Sequence, residues 1–479
     1  MILEAWRPDT NQRAKQKPEA FNISRDNVDI YSLLSDNKAT DKATAEAWLK
    51  WINSEYVYNY RTDHWYKWNG KFWELDQVEE HKASLLDFAK DLKIRAMEEP
   101  ERDRQNRIIK IAIDLENAKT WKGHFEASAV LNNRIGFNLN SDLINLQNGT
   151  FDIKKMQFKQ HCKEEYFNYS LPFDYLPEKS CPTWISFLND IFLDNSDLIH
   201  YINKAVGYSL TAEVQEQCLF FLYGSGQNGK SVFIETLLHI FGDFGIKIPL
   251  TALLYNKNNN ESSQREIIRL KNKRFTVANE TEENGHLSES IIKDLTGGDT
   301  LTGRELYEKT AEFKATHKLW IYGNHKPMIK GSDLGIWRRI KLIPFLYTVP
   351  KDKIDRELQS KLKNELSGIF NWILEGLKLW KKEGLEPIPE EITNATAEYK
   401  NEMDIIQQFI TDCCNIAEGL ECNSKDLYKS FTNWLEESGI KSRISKNMLT
   451  KKLAEKDFDN YRGGKNVLFW LNIGLKNDL

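Results

Sequence analysis

The sequence has few cysteines, no long apolar run and no internal repeat. Its six cysteines (Cys162, Cys181, Cys218, Cys413, Cys414 and Cys422) are scattered over 479 residues with no CxxC or CxxH spacing. That excludes a zinc-ligand pattern and offers no disulfide framework, so the thiols are expected to be reduced. No stretch approaches the roughly 20 apolar residues that a membrane span requires, and a membrane is not expected among the partners. The first residues, MILEAWRPDTNQRAKQKPEAF, turn charged and proline-bearing after a short apolar start, unlike a secretory signal. The expected location is therefore the cytoplasm. Net charge is small too: 66 Lys and Arg against 70 Asp and Glu leave −4 at pH 7. That total does not exclude nucleic acid, because basic residues can be concentrated in one channel.

An apolar fraction of 41% with 28% charged residues fits a globular chain, and its length suggests about three units at ~100–200 residues per domain. Residues 1–45 are polar and poorly periodic and read as a loose leader. TDHWYKWNGKFWELD then sets Asn69-Gly70 between aromatic alternating runs, a hairpin signal. Its rings (Trp65, Tyr66, Trp68, Phe72, Trp73) could stack on bases, but packing a small sheet is the commoner use. Helical periodicity follows over 79–118, and a second strand-turn-strand is expected around Asn148-Gly149. Three prolines in NYSLPFDYLPEKSCP mark a connector, which places a boundary near 180. The expected domains are 46–180 (α+β), 181–347 (a P-loop domain with a helical lead-in, 181–217), 348–402 (helical closure and linker) and 403–479 (a small separate unit).

FFLYGSGQNGKSVFIETL, residues 220–237, joins an apolar strand, a glycine-rich loop and a helix start. Gly224, Ser225, Gly226, Gln227, Asn228, Gly229, Lys230 and Ser231 fit G-x-x-x-x-G-K-[ST] in the context that makes the motif credible. Backbone N–H groups and the helix N-terminus would face the phosphates, Lys230 would reach the terminal ones, and the Ser231 hydroxyl would ligate Mg²⁺. The expected cofactors are ATP and Mg²⁺. Downstream, Phe275 to Ala278 reads as a short strand followed by Glu280, Glu282 and Glu283; Glu280 is the candidate metal ligand, and Glu282 or Glu283 the group that polarises water. A solvated acidic loop is the bland alternative. In KLWIYGNHKP, Asn324 follows another apolar run and could orient the attacking water. As a GTP base-recognition motif this stretch fails, because Met328 stands where an Asp is required. In GIWRRIKLIPF, Arg338 and Arg339 offer an arginine finger, a surface salt bridge being equally consistent.

The order and spacing of GSGQNGKS, ANETEENGHLSESIIKDLTGGDTLTGRELYEK, KLWIYGNHKP and IWRRIKLIPF resemble the superfamily 3 helicases, in particular the phage, plasmid and satellite primase-helicase type related to poxvirus proteins. The resemblance covers roughly residues 60–475. It implies an α/β fold: an AAA+-like motor with a central β-sheet flanked by helices, an α+β N-terminal domain, and a C-terminal DNA-binding module. It also implies a ring, usually a hexamer, that translocates 3′ to 5′ on single- and double-stranded DNA, in the cytoplasm of a bacterial host. Lys230 and Ser231 match the phosphate-loop pair, the three glutamates the acidic motif, Asn324 the sensor and Arg339, rather than Arg338, the finger. A channel hairpin between 297 and 318 would meet DNA through Lys309 first and Tyr307 second; Arg304 and Lys314 could equally be solvated. No paired-aspartate strand motif and no zinc-type cysteine set stand before 180, so primer synthesis is not inferred: a primase is either absent or carried by another polypeptide, a possible partner alongside host replication proteins.

The tail reads helix, helix, β-hairpin, the order of a winged helix, with Ser445 as an N-cap and Gly463-Gly464 at a turn. Residues 441–466 carry eight basic and three acidic side chains, an excess of 8 − 3 = +5. Lys451, Lys452, Arg462 and Lys465 are the candidate DNA contacts, with a protein-docking wing as the alternative. Function divides between a replicative DNA helicase or initiator of a mobile element and an ATP-switched origin-binding assembly factor. A small-molecule kinase is disfavoured, for no lid with a substrate pocket is evident.

Overall fold

Trp48 and the aromatic hairpin it packs on organise the first part of the chain. The structure, a computed structural model, describes residue 34 and residues 40–132, 136–255, 260–279, 285–304, 310–329, 334–438 and 444–476. It separates into two compact units, Met1–Asn140 with Gln160–Ser170, and Ser141–Lys159 with Leu171–Leu479. Among the described residues no helix is long and apolar enough to cross a membrane.

In the first unit, β1 (Tyr56–Asn59), β2 (His64–Trp68) and β3 (Trp73–Leu75) form an antiparallel meander beside helices α1 (Asp41–Trp51), α2 (Glu80–Ala96), α3 (Arg102–Glu116) and α4 (Ala118–Leu131). Trp68 pairs with Trp73 across the Asn69-Gly70 turn, where Gly70 takes φ +91°. Trp65, Tyr66 and Trp73 are buried. They pack the sheet, as the commoner use of such rings predicts.

The second unit begins with β4 (Leu143–Leu146), β5 (Gly149–Asp152) and β6 (Gln157–Lys159). Leu146 pairs with Gly149, so the tight turn is Gln147-Asn148, one residue ahead of the expected position. Phe151 sets its ring 6.0 Å from that of Phe370 in a later helix. This aromatic contact groups residues 141–159 with the P-loop part of the chain, whereas the proline-rich connector had suggested a division near 180.

Five strands then build a parallel sheet: β7 (Leu219–Tyr223), β8 (Gly245–Pro249), β9 (Phe275–Asn279), β12 (Lys318–Gly323) and β13 (Ile340–Pro344), in the order β13-β7-β12-β9-β8. The two strands omitted from that series, β10 (Thr300–Gly303) and β11 (Ala311–Lys314), pair with each other in an antiparallel hairpin. β7 and β12 are apolar nearly throughout, as strands covered on both faces must be. On one face Phe220 stacks on Trp320 at 4.4 Å, and Trp320 meets Phe233 of α7 (Lys230–Phe241) at 6.2 Å. Phe233 in turn stacks on Trp184 of α5 (Pro182–Ile191). On the other face Leu219, Phe221, Leu319 and Ile321 share a core with Tyr399.

Helices α6 (Ser196–Ser209), α8 (Glu289–Gly297), α9 (Leu366–Glu383) and α10 (Glu390–Met403) complete this part. The chain continues through α11 (Ile405–Cys413), β14 (Cys414–Asn423), α12 (Ser424–Glu437), α13 (Lys446–Ala454), β15 (Asn460–Arg462) and β16 (Leu468–Leu475). β14, β16 and β15 form a three-stranded antiparallel sheet around the core of Phe409, Phe431 and Trp470. Ser445 caps α13, its hydroxyl accepting the Met448 N–H. The helix-helix-hairpin order is the one expected, and β14 adds a strand the sequence reading lacked.

Candidate functional site

In an open parallel sheet, ligands bind beyond the carboxyl ends of the strands where the strand order reverses. Here that point lies at β7, which runs between β12 and β13, strands that follow it in the chain. The loop leaving β7 is residues 224–229, and α7 starts at Lys230. Its backbone is one only glycine tolerates easily: Gly226 takes φ +104° and Gly229 φ +84°. Gly224 and Gly229 are also needed for space. A Cβ on Gly224 would lie 2.4 Å from the Phe345 carbonyl oxygen, and one on Gly229 would lie 2.7 Å from Ile191 Cγ2. The loop is tied down from both sides: Phe345 N–H donates to Tyr223 O, Val349 N–H to Gln227 O, and the buried Asn228 amide to Phe345 O.

Lys230 is buried. Its ammonium donates to Gly224 O at 2.8 Å, Asn228 Oδ1 at 2.9 Å and Asn324 Oδ1 at 3.1 Å. Desolvation pushes it down to about 8. Asn324 stands one residue past β12, the strand paired with β7. The sheet thus brings together two residues 94 positions apart, the lysine and the amide that the sequence marked as phosphate-loop and sensor candidates. Ser225, Gln227 and Ser231 are exposed around them.

β9, on the other side of β12, ends at Asn279. The expected carboxylates Glu280, Glu282 and Glu283 come next and lie outside the described residues, as do Tyr307 and Lys309. The β10–β11 hairpin that would carry those last two is present, and Arg304 is exposed directly after β10.

The two arginines behave differently from expectation. Arg339, the favoured finger, is only 8% exposed; its Nε donates to Thr296 Oγ1 at 3.1 Å and its Nη1 to Gly335 O at 2.6 Å. A guanidinium held inside its own chain does not extend outward. Arg338 is exposed and donates to Gln217 Oε1 at 3.1 Å.

In the C-terminal segment Lys451 is largely exposed with its ammonium 3.9 Å from Glu455 Oε1, while Lys452 donates to Glu455 Oε2 at 2.9 Å. Lys456 is committed to Asp404 at 2.6 Å, and Arg462, exposed on β15, donates to Asn466 Oδ1. Lys465 lies in the turn before β16, its side chain outside the described set.

One neighbour of this site was not singled out from sequence: Lys326, two residues past Asn324 in NHKP. Its ammonium sits 4.7 Å from the Tyr223 ring and 2.8 Å from both oxygens of Glu402. Nothing local could have announced a partner 76 positions away.

Three family matches run along the chain in order. Residues 45–193 match the family described as D5 N terminal like, 222–339 a family of unknown function (DUF5906), and 401–466 the family described as Poxvirus D5 protein-like. A protein of Acanthamoeba polyphaga mimivirus named "Putative helicase L207/L206" is 28% identical over 62% of this chain and 33% of its own length. One from African swine fever virus named "Putative primase C962R" is 25% identical over 35% of this chain and 16% of its own. The chain spans from about a quarter to two fifths of the length of the helicase-named viral relatives it matches. Among solved structures, the apo C-terminal region of NrS-1 has a TM-score of 0.51 at 12% identity, covering 91% of this chain and 100% of that one. That likeness is one of fold.

Proposed function

We propose, from the premise that this chain is of the poxvirus D5 primase-helicase type, that it is an ATP-hydrolysing replicative motor that moves along DNA and separates its strands. The observation that carries the reading is the meeting of Lys230 and Asn324 at the carboxyl ends of two neighbouring strands, beside a loop in which Gly224 and Gly229 leave no room for a Cβ. A triphosphate fits this cradle: the loop offers backbone N–H groups, a helix N-terminus and one ammonium stripped of most of its water. Ser231, exposed in the first turn of α7, would hold Mg²⁺. When bound, that ion neutralises charge on the transferring phosphoryl group. Lys230 would hold the terminal phosphates, Asn324 would orient the attacking water, and Glu280 with Glu282 or Glu283 would serve as metal ligand and base.

Arg338, exposed next to β13, suits a finger that reaches a neighbouring protomer better than Arg339 does. A shared site of this kind implies a ring, hexameric by the family resemblance, with 3′ to 5′ polarity. The β10–β11 hairpin, through Arg304, Tyr307 and Lys309, would meet the DNA backbone. The helix-helix-hairpin segment would grip duplex as a winged helix, through Lys451, Lys452, Arg462 and Lys465. Phosphate contacts of this kind carry no sequence information, which suits a motor that must pass over any base.

A forked DNA duplex tests the proposal. The protein with ATP and Mg²⁺ is expected to release the labelled strand, and Lys230→Ala to release none while retaining DNA binding. ATP-dependent DNA binding by the unmodified protein with no strand release would replace the motor by an assembly factor.

A further inference from the structure

Lys326 stands where three parts of the motor meet. Its side chain is 12% exposed, and burying an ammonium to that degree is costly unless it is compensated. The compensation comes from two other elements. Tyr223, the last residue of β7 and the one before the phosphate loop, presents its ring at 4.7 Å. From α10, Tyr399 presents its ring at 5.6 Å, and Glu402 takes the ammonium on both oxygens at 2.8 Å. The next residue is fixed to the same helix, for the Tyr399 hydroxyl donates to Pro327 O. The one after that, Met328, donates its N–H to Gly285 O at 2.8 Å and accepts from Leu287 N–H at 2.9 Å. Residues 326–328 therefore join the strand entering the phosphate loop, helix α10, and the segment that follows the acidic motif.

We propose that Lys326, through its clamp with Glu402, Tyr223 and Tyr399, is the positioning residue that sets Asn324 against the phosphates. It touches no reacting atom. Asn324 is two residues upstream on a turn with no regular structure of its own, so its amide is held from one side by β12 and from the other by this clamp. Hydrolysis requires the amide at a fixed place, whereas nucleotide affinity rests mainly on the loop and Lys230. Loosening the clamp is therefore expected to act on turnover and to spare binding. The inference rests on the ATPase reading above.

Glu402 is half exposed, and Glu402→Gln keeps the size of the side chain while removing only the charge that offsets the Lys326 ammonium. In the full chain, Lys326→Met and Glu402→Gln are each expected to lower kcat for ATP about tenfold while KM stays within about twofold. The double variant should lose no more than Lys326→Met alone, and Lys326→Arg, which keeps both the carboxylate and the ring contacts, should retain most activity. A rise in KM at constant kcat, strictly additive losses, or full activity in Lys326→Met would each overturn the assignment. Hydrogen exchange on the nucleotide-free protein separates this from failure of the ATPase reading. Glu402→Gln should speed exchange at the Met328 amide whether or not ATP is ever hydrolysed, and unchanged protection there would remove the clamp itself.

Discussion

At the scale of single residues the telling group is the Lys230 ammonium, lowered by burial to about 8. A free lysine titrates near pH 10.4, so between these values the unfolded chain binds more protons than the folded one. The cost of holding this charge is full below pH 8 and fades as pH rises through that window, so stability gains with pH there. A bound triphosphate reverses the preference, because its oxygens stabilise the charged form. ATP binding above pH 8 is then expected to take up a proton and to weaken steadily as pH climbs from 8 to 9.5. Titration calorimetry in buffers of different ionisation heat measures both quantities, and a flat affinity without proton uptake would contradict the buried-ammonium account. The lysine itself was legible in sequence, since a strand, a six-residue glycine-bearing loop and a helix start are all local signals. The ordering of Arg338 and Arg339 was not. The inward turn of Arg339 rests on Thr296, 43 residues earlier, as well as on the nearby Gly335 carbonyl, and the distant partner is not legible within GIWRRIKLIPF.

At the scale of elements, α6 and α9 cross where each offers a glycine. A Cβ on Gly207 would lie 2.1 Å from Leu377 N, and one on Gly376 would lie 2.0 Å from Asn203 O. Backbone atoms cannot swing aside as a flexible side chain can. Gly207→Ala is accordingly expected to destabilise the protein by about 1–3 kcal/mol or more, read as a lower midpoint in chemical denaturation. Gly464→Ala, where no atom lies within 4 Å of the added carbon, is the matched control and should change little. Equal midpoints for the two variants would deny that the helices touch at these glycines. Both helices were visible as apolar periodicity, but their close approach was not, for a glycine inside a helical pattern reads the same whether it faces solvent or another backbone. The same limit applies to β14: CNIAEGLECN lacks clean alternation, and becomes a strand through its pairing with β16.

At the scale of the whole molecule the question is whether one protomer is complete. Arg338 reaches only Gln217 among the described residues and is open to solvent, whereas Lys230 and Asn324 meet within one chain. Arg338→Ala and Lys230→Ala proteins are each expected to be inactive alone. Mixed together they should regain part of the ATP hydrolysis, because some seams then pair an intact cradle with an intact guanidinium. A mixture as silent as its components, at every ratio, would place the arginine's role within its own chain. The cradle has a further consequence for such an assembly. Three oxygens of the chain already occupy the Lys230 ammonium, so an incoming phosphate takes the place of a partner rather than entering a void. On the ATPase reading, loading would be a substitution at the Lys230 ammonium, one oxygen of the chain giving way to one of the triphosphate.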